Sequence, residues 1–191
     1  MASVQSEPIQ LKKVRLSFPQ IYTARAFQAG QDPRFEASFL LDPSNADHAA
    51  TINTIKAEIK RLAGEAFGGK PPKDMKHCLG DGNLKDYDGY AGMVVLNSSN
   101  KVRPLVVNRK NEPVAEGDNQ APYAGCYVHA SVNLWVQNNS FGKRVNASLR
   151  GIKFVEDGSA FGRAPVNAED EFEALEDSVT DRASVVDDFM S

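Results

Sequence analysis

From Cys126 to Gln137 the chain alternates apolar and polar residues without a break. Cys126, Val128, Ala130, Val132, Leu134 and Val136 fall on one side, and Tyr127, His129, Ser131, Asn133, Trp135 and Gln137 on the other. Successive side chains of a strand point to opposite faces, so this run demands a β-strand with one face in a core and the other in a polar medium. A helix would scatter the same apolar set around its circumference. The following stretch, "KRVNASLRGIKFVED", repeats the pattern, with Val145, Ala147 and Leu149 inward and Arg144, Asn146, Ser148 and Arg150 outward. The linker "NNSFG" has hairpin length. Gly151 marks a bulge, beyond which Ile152 and Phe154 take the core face and Lys153 the outer one.

The rest of the chain supplies partners for this hairpin. "LKKVRLSFPQIY" reads as a strand with Val14, Leu16 and Phe18 on one face and Lys13, Arg15 and Ser17 on the other. "RFEASFLLD" places Phe35, Ala37, Phe39 and Leu41 together. Between them and the hairpin, Ile52, Ile55, Ile59, Leu62 and Ala66 recur at helical spacing. Ser44 or Asn45 caps the start of that helix, and Gly68-Gly69 followed by Pro71-Pro72 ends it. A stretch rich in Gly, Pro, Lys and Asp runs from Lys70 to Gly89, a length that marks a functional or mobile loop. Short apolar runs return at "YAGMVVLNSS" and "RPLVVN", with another loop from Arg109 to Pro122. The fold class is therefore mainly β with one inserted helix and long loops.

Charge divides the 191 residues in two. Residues 166–191 carry nine acidic side chains and one basic, a net −8, whereas 1–165 carry 21 basic and 16 acidic, a net +5. The reading is a folded domain over 1–165 and a disordered acidic tail over 166–191. That tail closes on "VVDDFMS", which puts Phe189 and Met190 where no core reaches them, behind Asp187 and Asp188. Such an ending suits a handle for a partner or a competitor for the protein's own basic surface. Two cysteines cannot build a disulfide framework, no apolar run approaches a membrane span, and "MASVQSEPIQ" lacks the core of a signal peptide. The expected location is the cytoplasm, with no membrane partner.

Three catalytic-looking patterns fail on chemistry. "GEAFGGK" has phosphate-loop spacing, but Pro71 stands where a magnesium-binding hydroxyl is needed and the glycines end a helix instead of opening one. His77, Cys78, Cys126 and His129 do not make a zinc site, because Cys126 and His129 face opposite sides of one strand. Asp81, Asp86 and Asp88 sit in a Gly-rich stretch without an accompanying base or nucleophile pattern. No enzyme activity, metal or cofactor is expected.

The outer face of the last hairpin is a different matter. Aromatic rings stack on bases of any sequence, and guanidinium and ammonium groups pair with phosphates, so a sheet face mixing Tyr, Trp, Arg and Asn suits single-stranded nucleic acid. The candidate contacts are Tyr127, His129, Trp135, Arg144, Arg150 and Lys153, joined by Lys13 and Arg15 from the first strand. If the groove lies elsewhere, Lys70, Lys73 and Lys76 mark the alternative.

These stretches, "KVRLSFPQIY", the lysine-rich helix, "YAGMVVLNSSNKVRPLVV" and "YAGCYVHASVNLW…LRGIKFVEDG", resemble phage-encoded single-stranded DNA-binding proteins of a family long labelled a domain of unknown function. The resemblance runs from about Lys13 to Gly162 and includes the tail. It implies an OB-fold, a five-stranded barrel elaborated with a helix and long loops, that coats single-stranded DNA during phage replication and recombination. It also implies that Asp187, Asp188, Phe189 and Met190 dock on phage or host replication and recombination proteins. Phe189 is followed by Met190 and Ser191, so ring and terminal carboxylate are not on one residue as they are in the family's usual tail. Self-association stays open. A strand-annealing role fits the same residues, and a metal-dependent nuclease or a virion structural protein are the readings from other classes.

Overall fold

The computed structural model describes residues 4–161. Its elements, in chain order, are β1 (Ile9–Arg25), β2 (Arg34–Leu41), α1 (Ala46–Ala66), β3 (Lys76–His77), β4 (Leu79–Asp81), β5 (Val94–Asn100), β6 (Leu105–Val107), β7 (Tyr127–Asn139) and β8 (Gly142–Glu156). The proposed tail, with Asp187, Asp188, Phe189 and Met190, lies outside the described residues.

Five strands close a barrel. β1 pairs antiparallel with β2 and with β7, β2 with β5, and β7 with β8; β5 and β8 complete the ring in parallel at Ser99 and Ser148. This is the Greek-key OB arrangement. The parallel seam is short, and β3 and β4 fill the gap beside it. β3 runs parallel to β8 and β4 antiparallel to β5, with the Cys78 carbonyl between them accepting the Asn97 N–H at 2.9 Å. Part of the Gly- and Lys-rich stretch after α1 is thus barrel wall, because the seam would otherwise expose two unpaired strand edges.

The hairpin packs as its alternation predicts. Cys126, Val128, Ala130, Val132 and Leu134 are buried, as are Val145, Ala147, Leu149, Ile152 and Phe154 on the return strand. The register slips by one residue between the Ser131–Gly151 and Val132–Leu149 pairs, which leaves Arg150 as the extra residue of a bulge. α1 begins where Asn45 Oδ1 accepts the main-chain N–H groups of Asp47 and His48. Its Ile52, Ile55, Ile59 and Leu62 pack into the same core as the barrel's inner faces.

β1 departs from simple alternation. Leu11, Val14 and Leu16 are buried, but so is Ser17, while Phe18 is 56% exposed. Register shifts fall between Leu11 and Val14 and between Ser17 and Gln20, with Lys13 at φ +49° and Phe18 at φ +45°. The expectation that Phe18 shares the core face of Val14 and Leu16 is therefore corrected. Pro19 has no N–H to give a ladder, so pairing breaks there, and the bulge turns Phe18 outward.

Candidate nucleic-acid interface

The flipped Phe18 is the centre of an aromatic wall. Its ring meets that of Tyr87 edge-on at 5.0 Å and that of Tyr90 at 6.4 Å, and Tyr87 meets Tyr90 at 5.2 Å. Tyr90 is buried against Leu40 and Val95, and its hydroxyl bonds Ser17 Oγ at 2.8 Å. Burial raises its pKa above the ordinary phenol value, so the hydroxyl stays neutral and adds no negative charge. Tyr90 is thus the fixed base of the wall, while Phe18 and Tyr87, at 56% and 50% exposure, present ring surface outward. Gly82 makes the arrangement possible: a Cβ there would lie 2.2 Å from the Tyr90 carbonyl oxygen and 2.7 Å from that of Met93.

Phe18 separates the two halves of one cleft over the outer face of β2 and β5. One half, of about 520 Å³, adds Phe27, Arg25, Lys85, Tyr87 and Tyr90. The other, of about 310 Å³, adds Arg34, His77, Gln137, Arg144 and Asn146. Both halves share a polar floor of Glu36, Ser38 and Asn97. Arg34 Nη1 donates to Ser99 Oγ at 3.1 Å, which holds its guanidinium along β5. Arg144 Nε is buried without a hydrogen-bond partner among the described residues. Two further rings stand at the rims: Phe27, 82% exposed, in the β1–β2 loop, and Phe141, 89% exposed, at the two-residue turn of the β7–β8 hairpin. In OB barrels the face of the second and third barrel strands, flanked by these two loops, is where oligonucleotides bind. Here those barrel strands are β2 and β5.

Of the residues picked from sequence, Arg144 lines this cleft. Trp135 stands next to it, cross-strand from Asn146 and beside the N-terminal segment that bridges to it at Gln5. Tyr127, Lys13 and Arg15 line a separate cavity near the start of α1. Arg15 donates from Nε to the Gly125 carbonyl at 3.0 Å and from Nη2 to that of Ser159 at 2.7 Å, and lies 4.2 Å over the Phe161 ring. Lys13 Nζ pairs with Glu156 at 2.9 Å, and its main-chain N–H donates to His129 Nδ1 at 2.9 Å. His129 and Lys153 are cross-strand neighbours, and burial together with Lys153 and Lys12 holds the imidazole pKa below its usual value. Arg150 projects outward from the β8 bulge. Sequence reasoning missed Phe18, Phe27, Tyr87, Arg25, Arg34 and Lys85. The signals available were Pro19 directly after Phe18 and the two tyrosines concentrated in "KDYDGY".

Both thiols are inert by environment: burial pushes Cys78 up to about 12 and Cys126 up to about 11. No group of three His, Cys, Asp or Glu among the described residues is placed to hold a metal ion, and no described helix is long and apolar enough to cross a membrane.

Comparisons with known proteins bear on the fold and the family. A putative protein, p50, of Acyrthosiphon pisum secondary endosymbiont phage 1 is 40% identical over 176 residues, covering 87% of this chain and 93% of that one. The single-stranded DNA-binding protein of bacteriophage Enc34, solved in complex with ssDNA, superposes with a TM-score of 0.72 at 26% identity, over 81% of this chain and 89% of its own. Gp2.5, a single-stranded DNA binding protein encoded by bacteriophage T7, shares the fold at a TM-score of 0.52 and 14% identity, over 87% and 95% of the two chains. Residues 7–184 match the family described as Enterobacter phage Enc34, ssDNA-binding protein, and the chain belongs to that family.

Proposed function

We propose that this protein binds single-stranded DNA along the β2–β5 cleft, with little dependence on sequence and without catalysing a reaction on it. The observation that carries the proposal is the pairing of outward rings (Phe18, Tyr87, Phe27) with cations (Arg25, Lys85, Arg34, Arg144) on the face where OB barrels take oligonucleotides. Bases stack on the aromatic wall, and phosphates run along the cations. Arg144 and Trp135 keep a part in this scheme, the first as a phosphate contact and the second as a neighbour whose fluorescence reports occupancy. Lys13, Tyr127, His129, Arg150 and Lys153 are secondary candidates for a strand that continues past the cleft, with Arg15 bracing that face through the carbonyls of Gly125 and Ser159.

The protein is further proposed to serve phage DNA replication and recombination in the host cytoplasm. The acidic segment 166–191 acts there as a competitor for the cleft, and Asp187, Asp188, Phe189 and Met190 as a handle for replication proteins. Two facts support this: the −8 charge against a +5 body, and the position of Phe161, which packs beside Tyr90 and lines a cavity with Phe18 and Tyr87. Titrating a mixed-sequence oligonucleotide at two salt concentrations tests the binding. Affinity should fall steeply with salt, by about 0.7 in log–log slope for each phosphate contact. Salt-independent binding, or none, refutes the proposal. A chain ending at Pro165 should bind more tightly at low salt; equal affinity removes the competitor role.

A further inference from the structure

Glu36 is an odd residue for a cleft that takes a polyanion. It lies on the outer face of β2, cross-strand from Gln20 on β1 and Ser99 on β5, and lines both halves of the cleft. Among the described residues its carboxylate makes no ion pair, although Arg25, Arg34 and Arg144 line the same cleft. It neither neutralises a neighbour nor braces the fold, and toward a phosphate it is repulsive. Its remaining use is as an acceptor for a donor carried by the ligand.

The geometry supplies such a donor. A base stacked on Phe18 turns its face to the ring and its edge to the β2–β5 floor, where Glu36 stands with Ser38 and Asn97. The Ser38 hydroxyl donates to Asn97 Oδ1 at 2.7 Å, and Asp81, the other carboxylate lining the cleft, accepts the Asn83 N–H on Oδ1 at 2.9 Å, so among the described residues Glu36 is the lining carboxylate with neither oxygen engaged. Cytosine, adenine and guanine each carry an exocyclic amino group that donates to a carboxylate. Thymine offers one N–H between two carbonyl oxygens, and a carboxylate approaching it meets both.

We infer that Glu36 reads the base edge at the Phe18 position, favouring amino-bearing bases over thymine. This gives an otherwise sequence-tolerant cleft one position of compositional bias, and it rests on the proposal that the cleft binds single-stranded DNA. The bias should be about three- to tenfold, the range for one ordinary hydrogen bond exchanged against water, since the cleft is open to solvent.

The test compares oligo-dC with oligo-dT on the full chain, at mildly alkaline pH where cytosine is unprotonated, for the wild type and Glu36→Gln. Removing the charge should strengthen binding to oligo-dT, because phosphate repulsion falls, whereas oligo-dC gains the same relief and loses the bond to its amino group. The ratio of the two affinities is the deciding readout, since a purely electrostatic role leaves it unchanged. The wild type should prefer oligo-dC about three- to tenfold, and the ratio should fall toward one in Glu36→Gln, whose amide donates as well as accepts. Equal affinity in the wild type, or a preference that survives the substitution, overturns the inference alone. Failure of the wild type to bind either oligonucleotide overturns the proposed function with it.

Discussion

Replacing Phe18 by Ala separates the aromatic cleft from the hairpin face as the seat of base stacking. In the free protein the ring is 56% exposed and touches Tyr87 and Tyr90 edge-on. Full burial of a phenyl group is worth about 1.5–3 kcal/mol, so the half-buried ring contributes roughly 1 kcal/mol to the fold. A base stacked on an aromatic ring is worth about 1–3 kcal/mol by alanine substitution. Phe18 is common to both halves of the cleft, so the middle of that range applies, and a loss of about 2 kcal/mol is roughly thirtyfold in affinity.

The assay is fluorescence anisotropy of a labelled mixed-sequence oligonucleotide at fixed salt, with thermal unfolding measured alongside. Phe18→Ala should bind roughly thirtyfold more weakly while melting only a few degrees lower. Tyr87→Ala should lose a similar amount, and the double variant less than the sum, because the two rings touch and one loosens when the other is removed. Trp135→Ala should change affinity less than either. Binding by Phe18→Ala within about twofold of wild type, together with a large loss for Trp135→Ala, would refute the reasoning and move the bases to the outer face of β7 and β8.

Other outcomes follow from the same geometry. Arg144→Ala and Arg25→Ala should each flatten the log affinity–log salt slope by about 0.7, whereas Arg15→Ala, whose donors already serve Gly125 and Ser159, should leave it unchanged; salt titrations check all three. Gly82→Ala should destabilise the fold by about 1–3 kcal/mol and weaken binding, since its Cβ displaces the backbone carrying Tyr90; urea unfolding and anisotropy report the two effects. The depressed His129 pKa means the unfolded chain binds more protons at acidic pH. Its contribution to stability is therefore complete above about pH 6.5 and lost as pH falls through the lower folded value. Urea midpoints between neutral pH and pH ~5 should show this decline and lose that component in His129→Gln.

What the sequence revealed and what it hid have physical causes. The hairpin was legible because both strands keep period two over most of their length, interrupted at the bulge that Gly151 announces and once more at its open end, between the Tyr127–Glu156 and Val128–Phe154 pairs. α1 was legible from its isoleucine spacing and from Asn45. Phe18 was not, because alternation assumes an unbroken ladder, and the register shift between Ser17 and Gln20, with Phe18 itself at φ +45°, turns its ring outward. Tyr87 was hidden by its neighbours: between Asp86 and Asp88 it reads as part of a solvated loop, and only the packing of Tyr90 over Leu40 and Val95 brings it to the β2–β5 face. Arg15 was legible only in part. Period two does turn it outward, but outward here means toward the carbonyls of Gly125 and Ser159, which sequence spacing cannot place.

That position of Arg15 bears on how the acidic segment and the DNA would meet. By holding the Ser159 carbonyl and stacking on Phe161, Arg15 ties the chain that leaves β8 to the first strand of the barrel. Phe161 in turn packs in the cluster of Tyr90, the residue against which Phe18 and Tyr87 rest. The described chain therefore ends, at Phe161, within one side chain of the aromatic wall. A tethered segment reaches a nearby site at high effective concentration, set by linker length and not by how much protein is present. On the proposed function, a net −8 segment beginning there needs no specific contact to compete for Arg25, Lys85, Arg34 and Arg144; proximity and charge suffice. On the same proposal DNA holds an advantage that the segment lacks along most of its length, since consecutive bases would engage Phe18, Tyr87 and Phe27 while their phosphates engage the cations. The aromatic wall, more than the basic one, thus decides which polyanion keeps the cleft.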